Sequence, residues 1–283
     1  MKSSASPKVS DRPIVVPALE KALDILEYLV FTERHMTVGE LSTELGIPQA
    51  SAFRIVNTLV HRGYLAKRPN GKLHLGPRNA LLNRAYISAN DLRRRARPYM
   101  VELRDRTKNS IELAFLDEDE IAFIDVLESL MPITVRFTRA VGAPLIGSSN
   151  PITLAILSGL SESRRDRVLD RMETVRMSLI HIRPVLEKFP FAHEIDHARL
   201  DKIKRDGYAA DFGEQTEHVT RIAAPVLNVN GEVIGSLGIA GPELYLPRSD
   251  SDPVVRDLLE VTRELSAELG YQGANEALKK TTD

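Results

Sequence analysis

The stretch from Thr37 to Arg62 constrains the chain more than any other. Thr37-Val38-Gly39-Glu40 has the form of a capping box, in which the threonine hydroxyl and the glutamate carboxylate each satisfy a backbone N–H left open at a helix start. The helix predicted there buries Val38, Leu41 and Leu45. Gly46-Ile47-Pro48 closes it with a left-handed cap and a residue that cannot continue it. A further helix runs from about Gln49 to Arg62, with Ala52, Ile55, Val56 and Leu59 at i, i+3, i+4 and i+7, and ends at Gly63. Two short helices about a tight glycine turn make a helix-turn-helix. Upstream, Leu19, Ala22, Leu23, Leu26, Leu29 and Val30 fall on the stripe of an amphipathic helix. Downstream, Tyr64 to Arg68 and Lys72 to Leu75 flank Pro69-Asn70-Gly71, a strong hairpin signal, so a basic wing follows the helices.

The chemistry of the second helix of this motif points to DNA. Its outward positions are Gln49, Ala50, Ser51, Arg54, Asn57 and Thr58, side chains suited to base edges and phosphates, and the helix carries no carboxylate. With Thr37 at the start of the preceding helix and Lys67, Arg68 and Lys72 in the wing, they form the expected DNA-binding set. A winged helix that docks a protein is the bland alternative. Charge is distributed accordingly: residues 1–78 hold 11 Lys+Arg against 7 Asp+Glu, a net of +4, whereas the remainder holds 27 against 32, a net of −5.

A chain of 283 residues, 43% hydrophobic and 27% charged, accommodates two ordinary globular domains. It contains no cysteine, which removes disulfides, thiol nucleophiles and cysteine zinc sites. The first ten residues lack the apolar core of a secretory signal, and no apolar run reaches the roughly 18 residues of a membrane span. A cytoplasmic protein without membrane contact is expected. Residues 79–109 read as mostly helical, with Pro98 starting or kinking a helix and the run Arg93-Arg94-Arg95-Ala96-Arg97 serving DNA backbone, a subunit surface or simply solvent. Beyond it, strands are predicted at Ile111 to Leu116, Ile121 to Leu127, Ile133 to Phe137, Arg221 to Val229 and Val233 to Ala240, with a final helix from about Asp252 to Leu269. The fold class expected is α+β, with a mainly antiparallel sheet.

The string from Ala18 to Leu75 resembles the winged helix of the isocitrate-lyase-regulator (IclR) family of bacterial transcription factors. Ile111 to Ser129, Arg205 to Pro242 and the closing helix resemble its effector domain, in family order. The resemblance implies a GAF-like sensor domain, a homodimer or tetramer on a palindromic operator, control of catabolic genes as repressor or activator with RNA polymerase as a further partner, a small organic acid as effector, no cofactor and no enzymatic activity. It implies five divisions: a tail at 1–15, the winged helix at 16–78, a linker helix at 79–97, the effector-binding domain at 98–270 and a tail at 271–283. It also implies an effector site of Ser148, Ser149 and Asn150 in a loop, Asp211 after a turn, Arg221 before a strand, and Gly238 and Ala240 on the last strand. The family commonly has hydroxyl residues at those two strand positions. Their loss predicts a less polar, roomier wall and a ligand larger than a two- or three-carbon keto acid. From the residues alone, Asp211 serves a ligand or the following turn, and Arg221 serves an anionic ligand or Asp211.

One motif points elsewhere. His193-Glu194-Ile195-Asp196-His197 matches H-E-x-x-H, which on a helix places two imidazoles on one face for zinc, with glutamate as base. A zinc-dependent hydrolase with an accessory winged helix is therefore the rival reading. Against it, the motif lies at the expected start of a helix burying Leu200 and Ile203, where polar residues serve as caps.

Overall fold

The computed structural model describes residues 16–134, 145, 147–179, 195–246 and 253–273. The chain divides after Ala80 into two compact units. In the first, α1 (Pro17–Thr32), α2 (Val38–Glu44) and α3 (Gln49–His61) precede β1 (Leu65–Lys67) and β2 (Leu73–Leu75), an antiparallel hairpin. The capping box forms: the Thr37 N–H donates to Glu40 Oε2 at 2.7 Å and the Glu40 N–H to Thr37 Oγ1 at 3.3 Å. These bonds, the backbone one foremost, hold the Glu40 carboxyl below its ordinary pKa. Gly46, at φ 62, makes the turn between α2 and α3, where a side chain would be strained. The Leu73 N–H donates to the Met36 carbonyl at 2.7 Å, tying the wing to the segment before α2.

α1 departs from its expected stripe. Its buried residues are Ile25, Tyr28 and Leu29, while Leu19, Leu23 and Val30 are exposed. The helix is apolar on two faces. The face buried within its own unit is fixed partly by Tyr28, whose hydroxyl donates to Glu44 of α2 at 3.1 Å.

α4 (Arg78–Ala89) and α5 (Asp91–Thr107) follow. The break falls at Asn90, whose side chain accepts from the Arg93 N–H, and not at Pro98, which α5 accommodates internally. From Leu92 onward α5 belongs to the core of the larger unit, through Leu92, Ala96, Met100 and Leu103. Two of the run's arginines converge there on one buried carboxylate. Arg97 Nη1 donates to both oxygens of Asp125 at 2.9 Å, and Arg93 Nε lies 3.3 Å from the same buried carboxylate.

The larger unit is built on a five-stranded antiparallel sheet in the order β4-β3-β7-β6-β5, with β3 Ser110–Asp117, β4 Glu120–Leu127, β5 Ala209–Phe212, β6 Val219–Leu227 and β7 Val233–Pro242. Alternation along each strand feeds two cores. Ile111, Leu113, Ile222, Ala224, Leu237 and Ile239 pack with α5 and α9 (Pro253–Glu268). Ala114, Phe123, Ala209 and Ala223 pack with α6 (Pro151–Ser158), α7 (Glu162–Ser178) and α8 (His197–Asp206). Every residue of α6 is buried. Ile133 and Thr134 lie in no strand, and the rest of that expected strand falls outside the described residues. Strand β5 had no counterpart among the expected strands.

Glycine substitutions test this packing. A Cβ on Gly235 would stand 2.4 Å from the Ala114 carbonyl oxygen, whereas one on Gly39 meets nothing within 4 Å. Gly235→Ala should destabilise the protein by about 1–3 kcal/mol through backbone displacement. Gly39→Ala should stabilise it by about 0.5–1 kcal/mol by restricting the unfolded chain. Urea unfolding of both variants checks the pair, and equal effects would contradict the packing.

Candidate functional site

Two sets of residues carry the candidate chemistry, one in each unit. In the first, Ala52 and Val56 anchor α3 in the core, which turns the opposite arc outward. Gln49, Ala50, Arg54, Asn57 and Thr58 are exposed on that arc and Ser51 is half-buried at its edge. The Thr58 hydroxyl donates back to the Arg54 carbonyl at 2.9 Å. No carboxylate lies on the helix. Lys67, Arg68 and Lys72 are exposed on the wing, whose tip is closed by the Arg68 N–H donating to the Lys72 carbonyl at 2.8 Å and the Lys72 N–H donating to Asn70 Oδ1 at 3.1 Å. Thr37 differs from the others: its hydroxyl is engaged by Glu40 on both sides, donating to Oε2 at 2.9 Å and accepting from the backbone N–H.

In the larger unit, the expected effector residues converge on the sheet face that carries α6. Asp211 is opposite Arg221 in the β5–β6 register, Arg221 is opposite Ala240, and Ala223 is opposite Gly238. Asp211 is fully buried. Its Oδ1 accepts from the Glu214 N–H at 2.8 Å and the Gln215 N–H at 3.3 Å, and its Oδ2 lies 3.5 Å from Arg221 Nη1. Both residue-level alternatives to ligand contact are therefore realised, since Asp211 organises the following turn and Arg221 pairs with it. On the facing side, the Asn150 side chain caps α6 by accepting from the Ile152 N–H at 2.9 Å, and Thr153 Oγ1 donates to the Gly147 carbonyl at 2.9 Å. Ser148 is buried and Ser149 half-buried, and the Gln215 side-chain amide donates to the Ser149 carbonyl. That bond joins the turn after β5 to the loop before α6.

The space over Gly238 is not vacant. A Cβ there would come within 2.6 Å of Ile152 Cδ1, so Ile152 fills the volume that the missing side chain leaves. The roomier wall expected from glycine at this position is corrected: Ile152 of α6 stands against the strand there. Ala240 is also completely buried.

Two site residues escaped the sequence reading. Glu112 is 1% exposed and stands opposite Gly238 in the β3–β7 register, on the α6 face, and Gln215 reaches the Ser149 loop. A lone carboxylate within the apolar run Ile111 to Leu116 was the available signal for Glu112. For Gln215, in an exposed-looking turn, there was none.

Of the H-E-x-x-H string, only Ile195, Asp196 and His197 lie among the described residues. α8 begins at His197, with Asp196 as its cap accepting from the Ala198 N–H at 2.9 Å, and Ile195 lies before the helix. His193 and Glu194 fall outside the described residues. His197 is exposed, with Nδ1 at 3.3 Å from Arg165 Nη1, a guanidinium that disfavours a second cation. Among the described residues no three His, Asp or Glu side chains converge as a metal site, and no helix is long and apolar enough to cross a membrane.

The profile of the IclR helix-turn-helix domain matches residues 18–69, and that of the bacterial transcriptional regulator IclR C-terminal domain matches residues 84–267. The chain is 28% identical over 268 residues to the HTH-type transcriptional regulator KdgR of Escherichia coli, spanning 94% of this chain and 98% of the relative. A crystal structure of an IclR family transcriptional regulator from Brucella abortus matches with a TM-score of 0.64 at 25% identity, covering 94% of this chain and 96% of that one. An IclR homologue from Microbacterium hydrocarbonoxydans, complexed with 4-hydroxybenzoate, shares the fold with a TM-score of 0.65 at 22% identity, covering 89% of this chain and 98% of that one. With a winged helix-turn-helix followed by an antiparallel-sheet effector domain, the chain belongs to the IclR family of bacterial transcriptional regulators.

Proposed function

We propose that α3 enters the major groove of a palindromic operator, with Gln49, Ala50, Ser51, Arg54, Asn57 and Thr58 toward bases and phosphates. Lys67, Arg68 and Lys72 of the wing neutralise the flanking backbone. Thr37 sets the start of α2 beside it. The observation that carries this reading is the outward arc of α3, polar and cationic apart from Phe53 and without a carboxylate, next to a basic hairpin. Residues 16–78 act as the DNA-binding domain, 79–97 as linker and 98–270 as sensor. DNA as target assigns the protein to the cytoplasm and regulation, not catalysis, as its role. RNA polymerase is the partner through which promoter response is expressed, as repression or activation according to operator position.

The sensor takes up a small organic acid on the α6 face. Arg221 supplies a buried cation, Ser148, Ser149 and Asn150 a polar loop, and Asp211 the acceptor that holds Arg221, while Gly238 lies beneath Ile152, whose side chain takes the place of an open floor beside Ala240. An acid of that general type, 4-hydroxybenzoate, is bound by the Microbacterium homologue. No cofactor enters this scheme.

A second copy of the chain completes the DNA-reading unit. One short helix reads too few base pairs for a specific site. Leu19, Leu23 and Val30 form an exposed stripe along α1, which supports a self-complementary contact.

Electrophoretic titration with an operator duplex tests the DNA reading. Arg54→Ala should weaken specific binding by about 1–3 kcal/mol. Lys67→Ala or Arg68→Ala should weaken all sequences alike and reduce the salt-dependence slope by about 1. Unchanged binding by all three variants would remove α3 and the wing from the interface. In sedimentation, Leu19→Glu with Leu23→Glu should shift the protein toward a smaller species with reduced operator affinity, and an unchanged assembly would place the subunit contact elsewhere.

A further inference from the structure

Among the outward residues of α3, one does not fit a merely polar surface. Phe53 is 54% exposed. It lies one turn after Gln49 and one turn before Asn57, so on an α-helix the ring stands between the two amides. The buried residues of the helix, Ala52 and Val56, lie on another face and leave the ring out of the core. A large aromatic held in water amid groups suited to base edges has one apolar counterpart in the major groove, the 5-methyl group of thymine. That methyl distinguishes a T·A pair by contact rather than by hydrogen bonding.

We propose that Phe53 is a sequence-reading residue that packs on a thymine 5-methyl group, and that it selects a T·A pair within each half-site beside the pairs read by Gln49, Arg54 and Asn57. The proposal rests on the assignment of α3 to the major groove. It adds a preference that the polar residues of the helix do not supply. The ring needs no movement of the core to make this contact, because it already projects from the fold, and its cost of exposure to water is relieved when the groove covers it.

The experiment uses the full-length protein and a duplex that it retains from a random-sequence pool. In that duplex each thymine of a half-site is replaced in turn by deoxyuridine, which removes the methyl and leaves every hydrogen-bonding group. Wild type should lose about four-fold in affinity for each contacted methyl removed, the equivalent of one methyl group returned to water. Phe53→Ala should bind the thymine and deoxyuridine duplexes equally, and Phe53→Leu, which keeps an apolar side chain, should retain most of the preference. Arg54→Ala supplies the control: it should weaken both duplexes alike while leaving the methyl preference intact. Loss of the Arg54 effect would overturn the groove assignment and the proposal together. A normal Arg54 effect with no deoxyuridine-sensitive position, or with the same sensitivity in Phe53→Ala as in wild type, would overturn the proposal alone. A Phe53→Ala variant that changes sedimentation but not methyl preference would assign the ring to a subunit contact and overturn it equally.

Discussion

The larger unit depends on a charge that it buries completely. A carboxylate removed from water costs several kcal/mol unless donors replace the lost hydration. Asp211 receives two backbone N–H groups from the turn after β5 and faces the Arg221 guanidinium across the β5–β6 register. This requirement fixes the shape of the turn and holds the edge strand β5 in place. It also positions Gln215 to reach the Ser149 carbonyl. One buried pair therefore couples a sheet edge, a turn and the loop that caps α6. Under the proposed effector site, an anionic ligand that competed for Arg221 would perturb all three.

Local chemistry was the part of the fold legible in the sequence. Thr37, Glu40 and Gly46 specify a cap and a turn through groups within a few residues of one another, and α2 and α3 form where they indicate. The four long strands and the final helix were legible as well, because their alternation or helical periodicity is sustained. What periodicity cannot choose is which of two apolar faces a helix buries. On α1 the expected stripe contributes only Leu29 to the fully buried residues, and Ile25 and Tyr28 from outside the stripe complete them, with Tyr28 held by Glu44. The break in the linker likewise went to Asn90, which supplies a side-chain acceptor for a new helix start, over Pro98.

In the candidate site, the pairing of Arg221 with Asp211 was among the alternatives readable from the residues, but the consequence of a glycine was not. Gly238 looked like added space until α6 was placed, and Ile152 then occupied it. A cavity is a property of two surfaces, and sequence describes one at a time. Glu112 was overlooked for a related reason: β3 is a central strand with both faces covered, so its outward alternation is not an alternation to solvent. At the H-E-x-x-H string the expectation of a polar helix start was the better guide: Asp196 caps the helix that begins at His197 and buries Leu200 and Ile203.

Labour in the chain is divided between a basic module that reads DNA and a sensor built on an antiparallel sheet. Hydrogen exchange read by mass spectrometry addresses this division directly, on the full-length protein with and without a duplex it has selected. Slower exchange on α3 and across the hairpin from Leu65 to Leu75, in the presence of the duplex, is the predicted result. Unchanged exchange in both, with protection appearing instead along β5, β6 and the turn between them, would contradict it.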